Sequence, residues 1–151
     1  MRRPEEVLVS VYRRGRSGME FLVLQRSPER QGYWHLVAGA LEWSESKESA
    51  ARRELLEETG LDAPVAELGY RFRYPVAQEP PARQAQFGPG VDEIEVAVFA
   101  AEAGSEWEPA LDDEHVAYRW CSVDEAVELL FYPEPRQAVR LVADSFAEAA
   151  P

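Results

Sequence analysis

Glu54, Glu57 and Glu58 stand three and four residues apart in a segment that reads as a helix. Helical residues advance about 100° each, so positions at these spacings share a face. The spacing predicts three carboxylates pointing the same way. Like charges so placed destabilise an isolated helix by about 0.2–0.5 kcal/mol per pair. A sequence that keeps them is expected to set something cationic against them. Three carboxylates with no Cys and no nearby His favour a hard, oxygen-seeking ion, Mg²⁺ or Mn²⁺ over Zn²⁺. Mg²⁺ held by few carboxylates keeps positions open for water and phosphate oxygens, the equipment of phosphoryl chemistry. With 22 Glu in the chain, the triplet alone would read as a solvated acidic face.

The surrounding residues shift that balance. Gly39, Glu45, Arg53-Glu54-Leu55, Glu57-Glu58 and Gly60-Leu61 follow, without a gap, the pattern Gly-x5-Glu-x7-Arg-Glu-aliphatic-x-Glu-Glu-x-Gly-aliphatic. Nine positions over 23 residues fit this pattern, the Nudix box. The chain therefore resembles the Nudix hydrolases. The resemblance implies an α/β fold, a Nudix-type α/β/α sandwich with a mixed sheet, as a single domain over residues 1–151. It also implies hydrolysis of a nucleoside diphosphate linked to another moiety, with Mg²⁺ or Mn²⁺ as cofactor. Carried over by position, Glu57 and Glu58 are the main metal ligands, and Glu54 is a further ligand or the base for the attacking water. Arg53 holds the glutamates by charge-assisted hydrogen bonds, and Glu45 assists from the loop side. The backbone carbonyl of Ala38 completes the metal shell. Ala38 and Ser44 stand where most of the family has Gly.

Short segments outside the box are similar to the dihydroneopterin triphosphate pyrophosphohydrolases of bacterial folate synthesis. They are Leu24-Gln25-Arg26, Tyr33-Trp34-His35 ahead of Val37-Ala38-Gly39, Pro89-Gly90-Val91, Glu114-His115-Val116-Ala117-Tyr118-Arg119-Trp120 and Arg136-Gln137-Ala138. The implied reaction cleaves dihydroneopterin triphosphate to the monophosphate and pyrophosphate. The acidic-His-x-x-aromatic-x-Trp pattern also occurs in diadenosine tetraphosphate hydrolases, so a nucleoside triphosphate or dinucleoside polyphosphate is the alternative substrate. A non-catalytic nucleotide-binding module is a second alternative; such modules commonly lose box glutamates, and this chain keeps all of them. Glu114 is expected at the metal site as a ligand or base. Arg26 is expected on substrate phosphate, or else paired with a box glutamate. His35 and Phe87 are candidate substrate contacts, although His35 also suits a packed strand residue. Trp43, Phe87 and Trp107 offer faces for a flat ring. Trp34 and Trp120 read as core, and Cys121 as a small buried hydrophobe.

These residues need elements to position them. Residues 5–14 alternate apolar and polar with Val7, Val9 and Val11 on one face, a half-buried strand. A turn at 15–18 and an apolar run at 21–25 suggest a hairpin. Residues 27–32 read as a loop and 33–37 as a strand. The box helix should run over 46–59, with Ser46 as N-cap and Gly60 as the C-terminal stop. Strands follow at 65–74, 94–101 and 118–121. Helices follow at 123–130 and 136–147, separated by Pro133 and Pro135. Between 75 and 91, Pro75, Pro80, Pro81, Pro89 and two glycines predict a functional or mobile loop.

Composition sets the outer limits. Lys plus Arg is 16 and Asp plus Glu is 28, a formal net charge of −12. That balance disfavours nucleic-acid backbones as partners and suits cations; the expected partner is a small-molecule polyphosphate. One Cys allows neither an intrachain disulfide nor a zinc–thiolate site. No apolar stretch approaches the ~18 residues of a membrane span, and the N-terminus lacks an apolar signal core. The expected setting is cytoplasmic, with no membrane partner.

Overall fold

The computed structural model describes residues 1–149. Strand β1 (Glu5–Gly15) turns at the predicted hairpin into β2 (Gly18–Arg26), with Tyr12 opposite Phe21. A single 3₁₀ turn, Pro28–Arg30, leads to β3 (Trp34–His35) and β4 (Val37–Ala40). The predicted strand at 33–37 is thus two. β3 pairs with β2, and the chain then changes partner at buried Leu36 so that β4 pairs with β1, Gly39 opposite Val7. Helix α1 (Lys47–Thr59) follows, then β5 (Ala66–Pro75), the short helix α2 (Pro81–Gln84), β6 (Glu93–Glu102), β7 (His115–Cys121), α3 (Val123–Leu129) and α4 (Pro133–Ala149).

The sheet runs β3-β2-β1-β6-β5, with β4 also on β1 and β7 also on β2. β1 and β6 are parallel, Val9 beside Phe99, and every other pair is antiparallel. This is the mixed sheet of the expected sandwich. Alternation along β1 sends Val7, Val9 and Val11 into a core layer with Ala51 and Leu55 of α1. Leu8 goes to the opposite layer with Ala126, Ala138, Val139 and Val142 of α3 and α4. β1 is therefore buried on both faces rather than half-buried, Ser10 included. A central strand with a parallel neighbour and helices on each side has no solvent face.

The helix ends obey the expected chemistry. The Ser46 hydroxyl accepts from the Ser49 N–H at 3.1 Å, and Gly60 stops α1 with φ 80°, where a side chain would be strained. Ser122 and Glu125 form a reciprocal capping box on α3. α4 starts at Pro133, so the two prolines lie in its first turn instead of before it. First-turn N–H groups have no helical acceptor, and proline there gives up nothing.

Candidate active site

The box loop and α1 are tied together by Arg53. Its Nε donates to Glu45 Oε2 at 2.7 Å and its Nη2 to Glu45 Oε1 at 2.8 Å, a bidentate pair. Nη2 also reaches the Ala40 carbonyl at 2.9 Å, and Nη1 reaches Glu54 Oε1 at 2.9 Å and Glu57 Oε2 at 3.2 Å. Arg53 holds the Glu45 carboxyl below its ordinary value. Glu45 Oε1 further accepts from the Glu42 N–H at 2.8 Å. Arg3 grips the same loop from the other side through the carbonyls of Glu42 and Glu45, at 3.0 and 2.9 Å.

Helical geometry sorts the three glutamates more finely than shared spacing suggested. Ala51, Leu55 and Glu58 follow one another at i, i+4 and i+7, so Glu58 continues the buried stripe and is 2% exposed. Its Oε1 accepts from the Ala38 N–H of β4 at 3.4 Å. Glu54, one turn earlier, lies beside it. Burial raises both, Glu58 well above the usual carboxylate range. Glu57 is rotated a further 100° from Glu54's partner and is directed outward, its side chain 56% exposed and paired with Arg53. The expectation that all three point one way is corrected accordingly: Glu54 and Glu58 meet, and Glu57 stands at the rim. Gly39 makes this possible, because a Cβ there would overlap the Glu54 carboxylate.

Among the described residues no three acidic or imidazole side chains converge on one point. The pair nonetheless suits a hard divalent cation. Its donors are all oxygen, and buried Glu58 Oε2 has no hydrogen-bond partner. Mg²⁺ characteristically takes one or two carboxylates and completes its shell from water and phosphate.

A cleft of about 780 Å³ opens beside this pair. Glu54, Ala38 and Gly39 line it, with Glu114 and the arginines 26, 30 and 53. Arg26 donates through Nη1 to the Tyr33 hydroxyl at 3.0 Å and leaves Nε without a partner. It pairs with no carboxylate among the described residues, so the alternative of a bond to a box glutamate is not realised. Glu114 faces the cleft too, with Oε1 3.2 Å from Arg30 Nη2. His35 lines the cleft with Nδ1 unpartnered; burial, then Arg26 and His115, lower its pKa to about 3, so the ring is neutral.

Aromatic and acidic groups also line the cleft. Tyr33 and Tyr132 meet edge to face at 5.3 Å, and Phe72 and Tyr74 of β5 stand there as well. The connection at 75–91 is ordered as a wall: α2 and its flanks bring Gln78, Glu79, Pro80, Arg83 and Gln86 to the cleft. Gln84 Nε2 donates to the Glu79 carbonyl at 2.6 Å, and the Arg2 N–H donates to the Gln86 carbonyl at 2.7 Å.

The three aromatic candidates for ring stacking are elsewhere. Phe87 packs on the core beneath the wall, with the Arg2 guanidinium 5.9 Å from its ring, and does not line the cleft. Trp43 is 67% exposed and donates to the Met1 carbonyl, while Trp107 packs edge-on against Trp120 beside the α1-side core. An aromatic residue's address depends on tertiary packing, which local pattern does not carry. Trp34, Trp120 and Cys121 are placed against core as expected. Tyr33, Phe72, Tyr74 and Tyr132 were missed. The one sequence signal was Tyr33, inside a segment that resembles the pterin branch.

His115 was also missed. It is buried, Nδ1 lies 2.8 Å from Asp112 Oδ1 and Nε2 lies 3.7 Å from Glu58 Oε1. Of the acids at 112–114, Asp112 is thus the one linked to the box helix, and Glu114 the one that faces the cleft.

The NUDIX domain family model matches residues 2–142. An octanoyltransferase of Myxococcus xanthus is 34% identical over 119 residues, which are 79% of this chain and 31% of that protein. The chain thus spans less than a third of the length of that curated relative. A candidate NUDIX hydrolase from Listeria monocytogenes superposes with a TM-score of 0.81 at 25% identity, covering 97% of each chain. The dihydroneopterin triphosphate pyrophosphohydrolase of E. coli superposes with a TM-score of 0.76, also at 25% identity, over 92% of this chain and 94% of its own.

Proposed function

This chain belongs to the NUDIX domain family, and we propose that it is a metal-dependent pyrophosphohydrolase of the cytoplasm, one domain over residues 1–151, acting on a nucleoside-triphosphate-like substrate. The best-fitting substrate is dihydroneopterin triphosphate, cleaved to the monophosphate and pyrophosphate. The observation that carries the hydrolytic reading is the buried Glu54–Glu58 pair at the mouth of a cleft lined by several arginines. The pterin reading draws on the aromatic residues that line the cleft and on the likeness to the E. coli enzyme.

Glu58, Glu54 and Glu57, with the Ala38 carbonyl and Glu114 across the cleft, would hold Mg²⁺ or Mn²⁺. The chemistry such an ion would supply there is neutralisation of polyphosphate charge and polarisation of the phosphoryl group. Arg26, Arg30 and Arg83 bind the remaining phosphate charge. Glu54 or Glu114 takes the proton of the attacking water, and Arg53 keeps Glu54 in place with Glu45 as its anchor. Neutral His35 faces the cleft without adding charge. No covalent enzyme intermediate is invoked: among the described residues no Ser, Thr, Cys or Lys lines the cleft.

Steady-state kinetics with dihydroneopterin triphosphate, GTP, ATP and diadenosine tetraphosphate in Mg²⁺ tests the reading. The expected kcat/KM for the pterin is at least ~10-fold above that for ATP, GTP and diadenosine tetraphosphate. A dinucleoside polyphosphate or an ordinary nucleotide as the best substrate removes the pterin reading. Glu57→Gln and Glu58→Gln are each expected to lower kcat by ~10²-fold or more. Near-normal turnover in both, or turnover in excess EDTA, removes the metal site.

A further inference from the structure

Three side chains that line the cleft make contacts that hydrolysis does not use. The Tyr74 hydroxyl lies 2.7 Å from Glu6 Oε1 and 2.7 Å from Glu79 Oε1. A phenol has one proton to donate, and two ionised carboxylates can only accept. Both contacts are favourable only if one carboxyl keeps its proton. Glu6 projects from the central strand β1 with its side chain 14% exposed; burial raises its pKa, and Arg2 Nη2 lies 3.4 Å from its Oε2. The Tyr74 hydroxyl thus joins Glu6 to Glu79.

Glu79 ends this series in the cleft wall. Its backbone is fixed by the Gln84 amide at 2.6 Å and by a bond to the Val76 carbonyl at 2.9 Å. Among the described residues Glu79 has no ion-pair partner, although Arg83 lines the same cleft. Its remaining lone pairs call for donors. Tyr33, Tyr132 and Phe72 line the same cleft.

We propose that Glu79, set by Tyr74 and Glu6, reads the donor edge of a 2-amino-4-oxopyrimidine ring, the half-ring common to guanine and pterins. Such a ring presents a ring N–H and an exocyclic N–H side by side, a match for carboxylate oxygens. Adenine presents a ring nitrogen acceptor beside its amine, which sets a lone pair against a carboxylate. A site built around a hydrogen bond rejects the analogue that lacks the matching group, because its own polar atom is left unpaired. The assignment rests on the cleft being the substrate site and names the ring class that the site takes.

Ring-only ligands in metal-free buffer separate this assignment from the hydrolytic one, since neither metal nor turnover is involved. Guanosine, neopterin, inosine and adenosine are titrated into the intact protein by calorimetry or NMR. Guanosine and neopterin are expected to bind at least ~10-fold more tightly than adenosine, with inosine, which lacks the 2-amino group, between them. The tighter of the first two identifies the ring source. Glu79→Gln is expected to erase the preference. Tyr74→Phe is expected to weaken it, and Glu6→Gln, whose amide can still donate to Tyr74, to retain it. Adenosine binding as tightly as guanosine, no measurable binding of any ring, or a preference that survives Glu79→Gln overturns the proposal. The preference of the unaltered protein is a test that no folding defect can mask.

Discussion

Nε2 of His115 lies 3.7 Å from Glu58 Oε1, on the side of the imidazole opposite Asp112. With Nδ1 held 2.8 Å from Asp112 Oδ1, the ring is oriented so that its other nitrogen is directed at Glu58. Glu58 is thereby packed between β4, through the Ala38 N–H, and the start of β7, through His115. A carboxylate so enclosed has little freedom to turn away from an ion.

His115→Gln and Asp112→Asn are therefore expected to raise the Kd for Mn²⁺ by ~10-fold or more, the usual scale for groups that orient a ligand. Asp113→Asn, on an exposed neighbour, should leave it unchanged. Calorimetric titration of Mn²⁺ into the three variants checks this. Equal small effects at 112 and 113 would return Asp112 to the surface acids.

Glu114 acts at a different place. It faces the cleft and pairs with Arg30 at a site whose side chain is 42% exposed. Glu114→Gln should depress kcat with a melting temperature within about 2 °C of the unaltered protein, because an exposed ion pair contributes about 0–1 kcal/mol. A change in Tm with normal kcat would make it structural.

Arg53→Lys is expected to behave as a severe change. An ammonium cannot span both oxygens of Glu45 while reaching Ala40 and Glu54. Thermal unfolding should show a loss of roughly 1–3 kcal/mol, the range for charge-assisted bonds. The kcat should fall ~10-fold or more as the loop at 41–46 loosens. Lysine at wild-type stability and rate would show that the clamp is dispensable.

His35 predicts a pH dependence. The unfolded chain takes up a proton there near 6.5, whereas burial holds the folded ring neutral down to about 3. Protons then bind the unfolded state more, so stability falls as pH drops from about 7 toward 3. His35→Gln removes this contribution. Its Tm should decline less steeply than that of the unaltered protein across this window, and the two curves should run parallel above about pH 7.5. Parallel curves throughout would mean that the ring gains its proton when folded.

The segment from Gly39 to Leu61 carried its own reading, because a local pattern fixes a local structure. Ser46 and Gly60 cap α1 as their chemistry requires, and Arg53, Glu54 and Glu58 fall where helical spacing sends them. The box therefore revealed the helix and the chemistry together. Strand periodicity likewise placed β1, β2, β5 and β6.

Other features came only from packing. That β1 is buried on both sides follows from its parallel pairing with β6, more than 80 residues away along the chain. That Glu57 is directed out while Glu58 is directed in depends on which stripe of α1 meets β4. Asp112 reaches Glu58 through His115 because β7 pairs with β2 beside the box. Tyr74, Glu6 and Glu79 come from β5, β1 and the wall, and no spacing within the chain announces that they touch. The short-range code of helix and turn is written in neighbouring residues. The choice of which carboxylate is buried, and which aromatic faces the cleft, is made by strands that meet across the sheet.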